Sequence, residues 1–169
     1  MTQPDVASLP AAADLPSVMA ESLFPAIIES SNDAILSKTL DGVITSWNPA
    51  ATRIFGYSAE EMLGQSVLCL FPAERLGEET LILQKIARGE RVDSFETVRL
   101  HKSGRPISVS VTVSPVRNAA GRIVGASKIA RDITAEIDNY RQLDQFRSLV
   151  TSSFDAILTK DMKGIVRSW

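Results

Sequence analysis

Residues 33–49, DAILSKTLDGVITSWNP, predict a β-hairpin that leads directly into a helix. Two strand-forming runs, DAILSK and VITSW, flank Asp41 and Gly42, a pair that supplies the positive φ values of a tight turn. Asn48 is a preferred helix cap, and Pro49 at the first helical position loses no hydrogen bond that the helix needs. The segment therefore predicts two antiparallel strands followed by a short helix.

The residues after this segment predict further helices and three more strands. Ser58 and Glu61 have the spacing of a capping box, in which each side chain satisfies the other's backbone donor. A longer helix fits residues 74–88. The apolar stripe predicted for it consists of Leu76, Leu83, Ile86 and Ala87. The pattern of strands occurs in three further runs, FETVRLHK, PISVSVTVSPV and RIVGASKIARDI. This element order predicts an α+β fold, an antiparallel sheet with helices on one face.

The hairpin sequence occurs twice in the chain. Shifted by 122 residues, FPAIIESSNDAILSKTLDGVITSW (24–47) and FRSLVTSSFDAILTKDMKGIVRSW (146–169) are identical at 11 of 24 positions. Such self-similarity indicates a tandem array of one domain type, of which this chain is expected to be a fragment. We expect one complete domain over 23–134, a linker or signalling helix over 135–150, and the truncated start of a second domain over 146–169. Residues 1–22 are expected to form a mobile leader and the start of an N-terminal helix.

Composition and charge exclude several classes of function. The net charge of −2, without a block of like charge, argues against nucleic-acid or anionic-membrane partners. No apolar run approaches the ~18–20 residues that span a bilayer, so no direct membrane insertion is expected. The N-terminus lacks the features of a secretory signal, and the single Cys69 is consistent with a reducing compartment, so a cytoplasmic location is predicted. No phosphate-binding glycine loop, metal-spaced His/Cys cluster or nucleophile elbow is present, so no catalytic residue and no metal site is predicted.

Several quoted segments together resemble one known family. The chain is similar to the PAS sensor family of the bacterial S-box kind in four segments, which occur in the family's order: SNDAI, ITSWNPAATRIFGYSAEEMLGQ, ETVRLHKSGRPISVSV and GRIVGASKIARDIT. The resemblance covers about residues 23–134 in full and 146–169 in part. It implies a five-stranded antiparallel sheet of order 2-1-5-4-3 that cups helices around an apolar cavity. An N-terminal helix and a C-terminal signalling helix are expected to flank this fold.

The resemblance also implies a set of residues that would line the cavity. All of the candidates are apolar, so each has the alternative of being an ordinary core residue. They are Ile35, Ile54, Phe55, Met62, Leu63, Val67, Leu83, Ile86, Val98, Val109 and Ile129. A real pocket usually contains a few convergent polar groups, and the sequence does not locate them.

The run Arg131-Asp132-Ile133-Thr134 is similar to the family's exit motif, where the last strand hands over to a signalling helix. Arg131, Asp132 and Thr134 are therefore candidate relay residues, and Asp132 or Thr134 can cap the outgoing helix. Ile133, Ile137 and Tyr140 begin an imperfect heptad seam. Because so narrow an apolar stripe does not fold alone, the helix should find a partner helix, which predicts a homodimer through the PAS and linker helices.

Cofactor-binding branches of the family leave signatures that can be sought here. At the position of the reactive cysteine of the flavin-photosensing branch stands Val67, and Cys69 lies two places later. The long helix lacks the histidine of the haem-binding branch, and the sole histidine, His101, lies beside a turn. No cofactor is therefore predicted, and haem is not expected. A noncovalent FAD, with Trp47 and Asn48 against its ring, is left open as an alternative.

The function implied by the resemblance is that of a sensory or relay module in bacterial signal transduction. Such a module binds a small ligand or partner and passes a conformational change through a coiled-coil helix to an effector domain in the same chain. Two alternatives stay open, a noncovalent FAD-binding redox or light sensor and a pure dimerisation module. The fragment itself is expected to be catalytically inert. Its parent resembles two-component sensor histidine kinases with several PAS domains, or diguanylate cyclase/phosphodiesterase proteins.

Overall fold

A computed structural model describes residues 17–152, 159–160 and 165–168 of the chain. The predicted leader over 1–16 and the remaining residues of the second hairpin lie outside these described residues. The helices are α1 Ser17–Ser30, α2 Pro49–Phe55, α3 Ala59–Met62, α4 Leu76–Ala87 and α5 Thr134–Ser152. The strands are β1 Ala34–Lys38, β2 Ile44–Trp47, β3 Val92–Leu100, β4 Pro106–Arg117, β5 Ile123–Asp132, β6 Thr159–Lys160 and β7 Val166–Ser168. Two short 3-10 turns, Val67–Leu70 and Ala73–Arg75, lie between α3 and α4.

The first five strands form one antiparallel sheet in the order β2-β1-β5-β4-β3. This is the order that the PAS resemblance implied, and the fold prediction is confirmed. The last strand of the domain, β5, lies at the centre of the sheet between β1 and β4. The chain therefore enters α5 directly from the middle of the sheet.

Asn48 is the local residue that ties the first elements together. Its Oδ1 accepts from Ala51 N at 2.9 Å, which is the predicted cap of α2, and also from Ile35 N at 2.9 Å. Its Nδ2 donates to the carbonyl oxygens of Ile28 and Asp33, at 3.0 and 3.1 Å. One buried amide therefore joins the end of α1, the start of β1 and the start of α2.

The two faces of the sheet have different surroundings. Ile107, Val109, Val111 and Val113 of β4 are buried on the inner face, under the helices, as their alternation suggested. The outer face carries the alternate residues of each strand. Thr112 of β4 pairs with Ile129, which pairs in turn with Ile35 of β1, and Ser108 pairs with Val98.

Four of the cavity candidates are placed elsewhere by this register. Ile35, Val98 and Ile129 share the outer face with the polar residues of β4, and Ile129 is 45% exposed. Leu63 is 46% exposed because it follows the short α3 at the point where the chain turns away from the core. These four residues therefore do not face the core on the inner side of the sheet, although Ile35 lines a cleft of about 830 Å³ on the outer side. The same strands and helix direct other residues toward the interior.

The predicted apolar stripe of α4 is also wrong in part. The residues of this helix that are buried are Glu79, Ile82 and Ile86, whereas Leu76 is exposed and Leu83 is half-buried. The helix is rotated so that a carboxylate, and not Leu76, faces the sheet. The reason for this orientation is Lys38 on the inner face of β1, which pairs with Glu79.

The second copy of the hairpin repeats the pairing of the first. In the first hairpin Ser37 pairs with Ser46 and Lys38 with Ile44, with an irregularity between the two rungs. In the second, Thr159 pairs with Ser168 and Lys160 with Val166, again with an irregularity between them. Each of these residues is 122 positions after its counterpart. Lys160 therefore occupies the register position of Lys38.

Candidate functional site

Lys38 and Glu79 form an ion pair inside the domain. Lys38 is the last residue of β1, on the inner face, and its side chain has no solvent exposure. Its Nζ donates to Oε1 of Glu79, which α4 directs toward the sheet and which is almost fully buried. Burial lowers the pKa of Lys38, and the attraction of Glu79 offsets this only in part. The pair explains why α4 buries a carboxylate.

Arg99 on β3 supplies a second buried cation. Its Nη2 donates to Glu78 Oε2 at 3.0 Å, and its Nη1 donates to Thr97 Oγ1 at 2.9 Å. The guanidinium carbon lies 3.8 Å from the centroid of the Phe71 ring, a cation–π contact. Arg75 also contacts Glu78, with N–O distance 2.7 Å, from the half-exposed side of the carboxylate. The carboxylate of Glu78 therefore joins a buried arginine to a surface one.

Lys128 on β5 is the third buried basic side chain, and it differs from the others in having no carboxylate partner among the described residues. It is 1% exposed, and its Nζ has no hydrogen-bond partner among the described residues. The Nζ lies 5.3 Å from the centroid of the same Phe71 ring that Arg99 covers. Burial holds the pKa of Lys128 well below its usual range, and the charges of Arg99 and Lys38 lower it further.

We call Lys38, Glu78, Glu79, Arg99 and Lys128 the buried charged cluster. In the part of the chain that the structure describes, three buried side-chain polar atoms lack a hydrogen-bond partner. They are Glu79 Oε2, Arg99 Nε and Lys128 Nζ, and all three belong to this cluster. Since folded proteins satisfy about 90% or more of such groups, their concentration in one place marks the cluster as the candidate site.

A cleft of about 410 Å³ reaches Glu79 from the surface, and no other member of the cluster lines it. It lies between the β1–β2 turn, with Asp41 and Gly42, and the outer turns of α4, with Leu76 and Leu83. Glu79 also lines this cleft, although its residue surface is almost wholly covered. The carboxylate that holds Lys38 therefore lies where the cleft meets the interior.

Strand parity contains a signal for the cluster that hydrophobicity does not reveal. Ala126 and Ala130 are buried on β5, so Lys128 between them must share their face. In the same way, Lys38 follows Ala34 and Leu36 at intervals of two. Small alanines give a weaker hydrophobic signal than the large apolar residues on the opposite face. Of the remaining candidates, Phe55, Met62, Val67, Ile86 and Val109 lie in the core, with Ile54 partly buried against it.

The candidate relay residues meet where β5 passes into α5. Arg131 makes a two-point ion pair with Asp33, with Nε–Oδ1 and Nη2–Oδ2 distances of 3.1 and 3.0 Å. Asp132 Oδ1 accepts from Thr134 N at 2.9 Å, at the first residue of α5. Thr134 Oγ1 in turn accepts from Ser108 N of β4 at 3.1 Å. The start of α5 is thus fixed to two neighbouring strands.

Beyond this junction α5 extends with apolar residues exposed. Ile133 and Ile137 of the predicted seam are half-buried, whereas Tyr140 is 76% exposed. Leu143 and Phe146, further along the helix, are also exposed. Within the described residues, this end of the helix has an apolar surface without a cover.

A second apolar surface follows α1, where Leu23, Phe24, Ile27 and Ile28 are exposed. A cleft of about 830 Å³ separates this helix from the outer side of β1 and from α2. Trp47 lies at this cleft but is held in place, because its Nε1 donates to Thr52 Oγ1 and Tyr57 O, both at 3.1 Å.

The residues examined above for cofactor binding, Val67, Cys69 and His101, make the contacts of ordinary core and turn residues. Val67 is fully buried in the core. Cys69 is exposed as a residue, but its Sγ lies 4.0 Å from Met62 Sδ, and partial burial raises the pKa of its thiol. His101 Nδ1 lies 2.9 Å from Ser103 Oγ in the β3–β4 turn. Among the described residues no group of three or more His, Cys, Asp or Glu side chains could hold a metal ion.

None of the described helices is both long enough and apolar enough to cross a membrane.

Comparisons with known proteins agree with this architecture. Residues 22–133 match the family model of the PAS fold. The chain is 31% identical over 125 residues to the signal transduction histidine-protein kinase AtoS of Escherichia coli K12, an alignment that covers 74% of this chain and 20% of AtoS. The chain thus spans about a fifth of the length of that relative.

Two solved structures extend the comparison. The PAS domain of a protein from Colwellia psychrerythraea has a TM-score of 0.63 and 27% identity, covering 69% of this chain and 98% of that one. An RNA-binding light-oxygen-voltage receptor has a TM-score of 0.64 and 26% identity, covering 86% of this chain and 42% of the receptor.

Proposed function

This chain belongs to the PAS family, and on that basis we propose that it is a sensory or relay module whose change of state passes along α5 to an effector domain. PAS domains of this kind serve signal transduction, and AtoS is a histidine kinase. The effector of this chain is proposed to be of the two-component or cyclic-dinucleotide type and to lie in the same polypeptide. The module itself is proposed to be cytoplasmic and without catalysis of its own.

The observation that carries this proposal is the junction between β5 and α5. Arg131, on the exposed face of β5, pairs with Asp33 in the loop immediately before β1. Three residues later, Thr134 is bonded both to Asp132 and to Ser108 of β4. A shift between β1, β5 and β4 would therefore change the direction in which α5 leaves the sheet. No other described helix begins directly from the central strand.

The exposed apolar residues of α5 support the second half of the proposal, a parallel dimer. Tyr140, Leu143 and Phe146 are uncovered, and a narrow apolar stripe on an otherwise charged helix is typical of a coiled-coil seam. The proposed seam is Ile133, Ile137 and Tyr140. A rotation of each helix at its junction would then be read at the far end of the pair.

A flavin sensor is the second candidate, favoured by the likeness to a light-oxygen-voltage receptor. Val67 in place of a reactive cysteine restricts this candidate to FAD held without a covalent bond. The visible absorption spectrum of the purified chain decides between the two, because flavin bands at one per chain would select the FAD sensor. A colourless protein leaves the relay module and the pure dimerisation module, which the next experiment separates.

The test inserts one to seven residues after Asp138 in the effector-bearing protein and measures effector output. Each added residue turns the helix by about 100°, whereas seven restore the seam nearly to its starting face. One residue should abolish or invert regulation with the domain still folded, and seven should largely preserve it. A single residue inserted after Ala120, in the β4–β5 turn, is the matched control and should leave regulation intact. Output that does not depend on insertion length would show that α5 is only a tether.

A further inference from the structure

We propose that the surface cleft beside Glu79 is a docking site for a partner protein that inserts one lysine or arginine side chain flanked by apolar residues. We call this cleft of about 410 Å³ the acidic cleft; among the residues that line it are Asp41, Leu68, Leu76, Glu79 and Leu83. The inference rests on the proposed function and deepens it, because it assigns a class of partner to the sensory module.

The charges of the acidic cleft favour a cation. Its ionisable lining residues are Asp41 and Glu79, and both are acidic. Glu79 is matched by Lys38, whereas Asp41 makes no ion pair among the described residues. Arg75 does not compensate it, since this residue pairs with Glu78 on the β3 side of α4. Asp41 therefore gives the cleft one negative charge beyond the Lys38–Glu79 pair.

Glu79 leaves an acceptor unused where the cleft meets the interior. Its Oε1 accepts from Lys38, but its Oε2 has no hydrogen-bond partner among the described residues, and the residue is only 4% exposed. A buried carboxylate oxygen without a donor is costly. The head group of a lysine or arginine has several donors and no acceptor, so it supplies both the missing donor and the missing charge.

The walls of the acidic cleft are apolar and partly exposed. Leu68 and Leu76 are 40% and 43% exposed, and Leu83 is half-buried. Leu40, next to Asp41 in the β1–β2 turn, is exposed as well. A group of exposed apolar side chains beside polar residues is typical of a protein-binding surface. A small amine would leave these leucines in water, so the observations favour a protein segment over a metabolite.

The position of the cleft connects it to the relay. Lys38 at the end of β1 pairs with Ala126 near the start of β5, whereas α5 follows Asp132 at the other end of β5. The acidic cleft therefore lies at the end of the sheet opposite to α5. A cation held by Glu79 would compete with Lys38 for the carboxylate and would loosen the contact between α4 and β1. Through this contact the bound partner would act on the sheet.

The test selects peptides on the full chain from a phage-displayed library of random dodecapeptides, and fluorescence anisotropy measures the affinity of the synthetic peptides. The selected peptides should share one lysine or arginine next to apolar residues. Replacing that residue by norleucine should weaken binding about tenfold or more, as expected for the loss of a charge-assisted hydrogen bond. Nα-acetyl-lysinamide, which lacks apolar neighbours, should bind about a hundredfold more weakly than the peptides or worse.

Matched variants of the chain locate the binding. Asp41→Lys introduces the residue that the second hairpin has at the corresponding position, Lys163, and should weaken binding about tenfold or more. Asp93→Lys, an exposed charge reversal on β3, is the control for overall charge and should keep the affinity within about twofold. Leu76→Ser should weaken binding about threefold or more, whereas Leu81→Ser, also exposed but on the β3 side of α4, should not.

The contact with Glu79 is checked in the wild-type chain, so that no variant of the buried pair has to fold. The NMR resonance of the Glu79 carboxyl carbon should shift when a selected peptide binds and should not shift with its norleucine analogue. The proposal is overturned if the library yields no peptide, if the selected peptides need no basic residue, if Asp41→Lys and Asp93→Lys bind them equally, or if the Glu79 resonance does not respond. None of these failures affects the insertion experiment, which tests α5 without this partner.

Discussion

The ion pair between Lys38 and Glu79 gives the sharpest test of the described interior. Replacing Glu79 by Leu leaves the Lys38 ammonium buried without a counterion, and replacing Lys38 by Met leaves the carboxylate in the same position. Both side chains are removed from solvent, with exposures of 0% and 5%. The single variants should therefore each lose stability, whereas the double variant should recover it.

The expected magnitudes follow from the cost of an unpaired buried charge. Each single substitution should lower the free energy of unfolding by about 3–5 kcal/mol, while replacement of a whole buried pair by apolar residues is commonly neutral or stabilising by about 1–4 kcal/mol. Lys38→Met/Glu79→Leu should thus be at least as stable as the wild type. The coupling between the two sites should far exceed the ~0.5 kcal/mol within which independent mutations add.

Urea unfolding at pH 7, followed by tryptophan fluorescence, measures all four proteins of the cycle. Lys102 and Glu61 provide a control pair of the same chemistry, also 41 residues apart but about half exposed. Their double-mutant cycle should give a coupling close to zero, because water screens the charges. Additive losses at Lys38 and Glu79 would refute the reasoning, since they would mean that neither charge depends on the other.

Two further perturbations test the same interior. Burial lowers the pKa of Lys128 in the folded state, so between that pKa and about 10.5 the unfolded chain binds more protons, and wild-type stability should rise with pH across this window. In Lys128→Met this rise should be missing from the free energy of unfolding measured in urea between pH 7 and 10. Parallel plots of unfolding free energy against pH for the two proteins would count against a buried, uncompensated amine. Gly125→Ala should destabilise the domain by about 3 kcal/mol or more, in the range of severe overpacking, because its Cβ would lie 2.3 Å from the carbonyl oxygen of Lys38. Gly77→Ala, where a Cβ on α4 would meet open space, should instead stabilise the domain by about 0.5–1 kcal/mol. Equal melting temperatures for the two variants would contradict the close approach of β1 and β5.

Much of the fold could be predicted from interactions between residues that are close together in the sequence. The Asp41-Gly42 turn, the Asn48 cap and the Ser58/Glu61 capping box depend on residues within a few positions of one another, and all three occur in the structure. In the turn, however, only Gly42 has the positive φ that was predicted for the pair. Such signals need no knowledge of the rest of the chain. The strand order came instead from the resemblance to the PAS family.

The buried charged cluster could not be found by the same means. Its members come from β1, α4, β3 and β5, and only the register of the sheet places them on one face. Hydrophobicity pointed the other way, toward Ile35, Val98 and Ile129, because an outer face that is only partly exposed also holds apolar residues. Counting by two from the buried alanines of β5 would have assigned Lys128 to the interior.

The rotation of α4 shows the same limit in a helix. Leu76 and Leu83 made an apolar stripe, yet the helix buries Glu79 because Lys38 requires a partner. A long-range ion pair of this kind has no local signature. At the exit of the domain, by contrast, Arg131, Asp132 and Thr134 stand close together in sequence and in space. Their partners are distant in sequence: Asp33 precedes β1 and Ser108 lies on β4.

Cysteine cross-linking along α5 tests the relay account most directly. In a Cys69→Ser background, single cysteines at each position from 136 to 142 are oxidised, and the fraction of disulfide-linked dimer is measured. A parallel pair with the proposed seam predicts maxima at 137 and 140 and minima at 138 and 139. A uniform profile, or no cross-linked dimer at any position, would contradict the claim that α5 transmits the state of the domain through a paired helix.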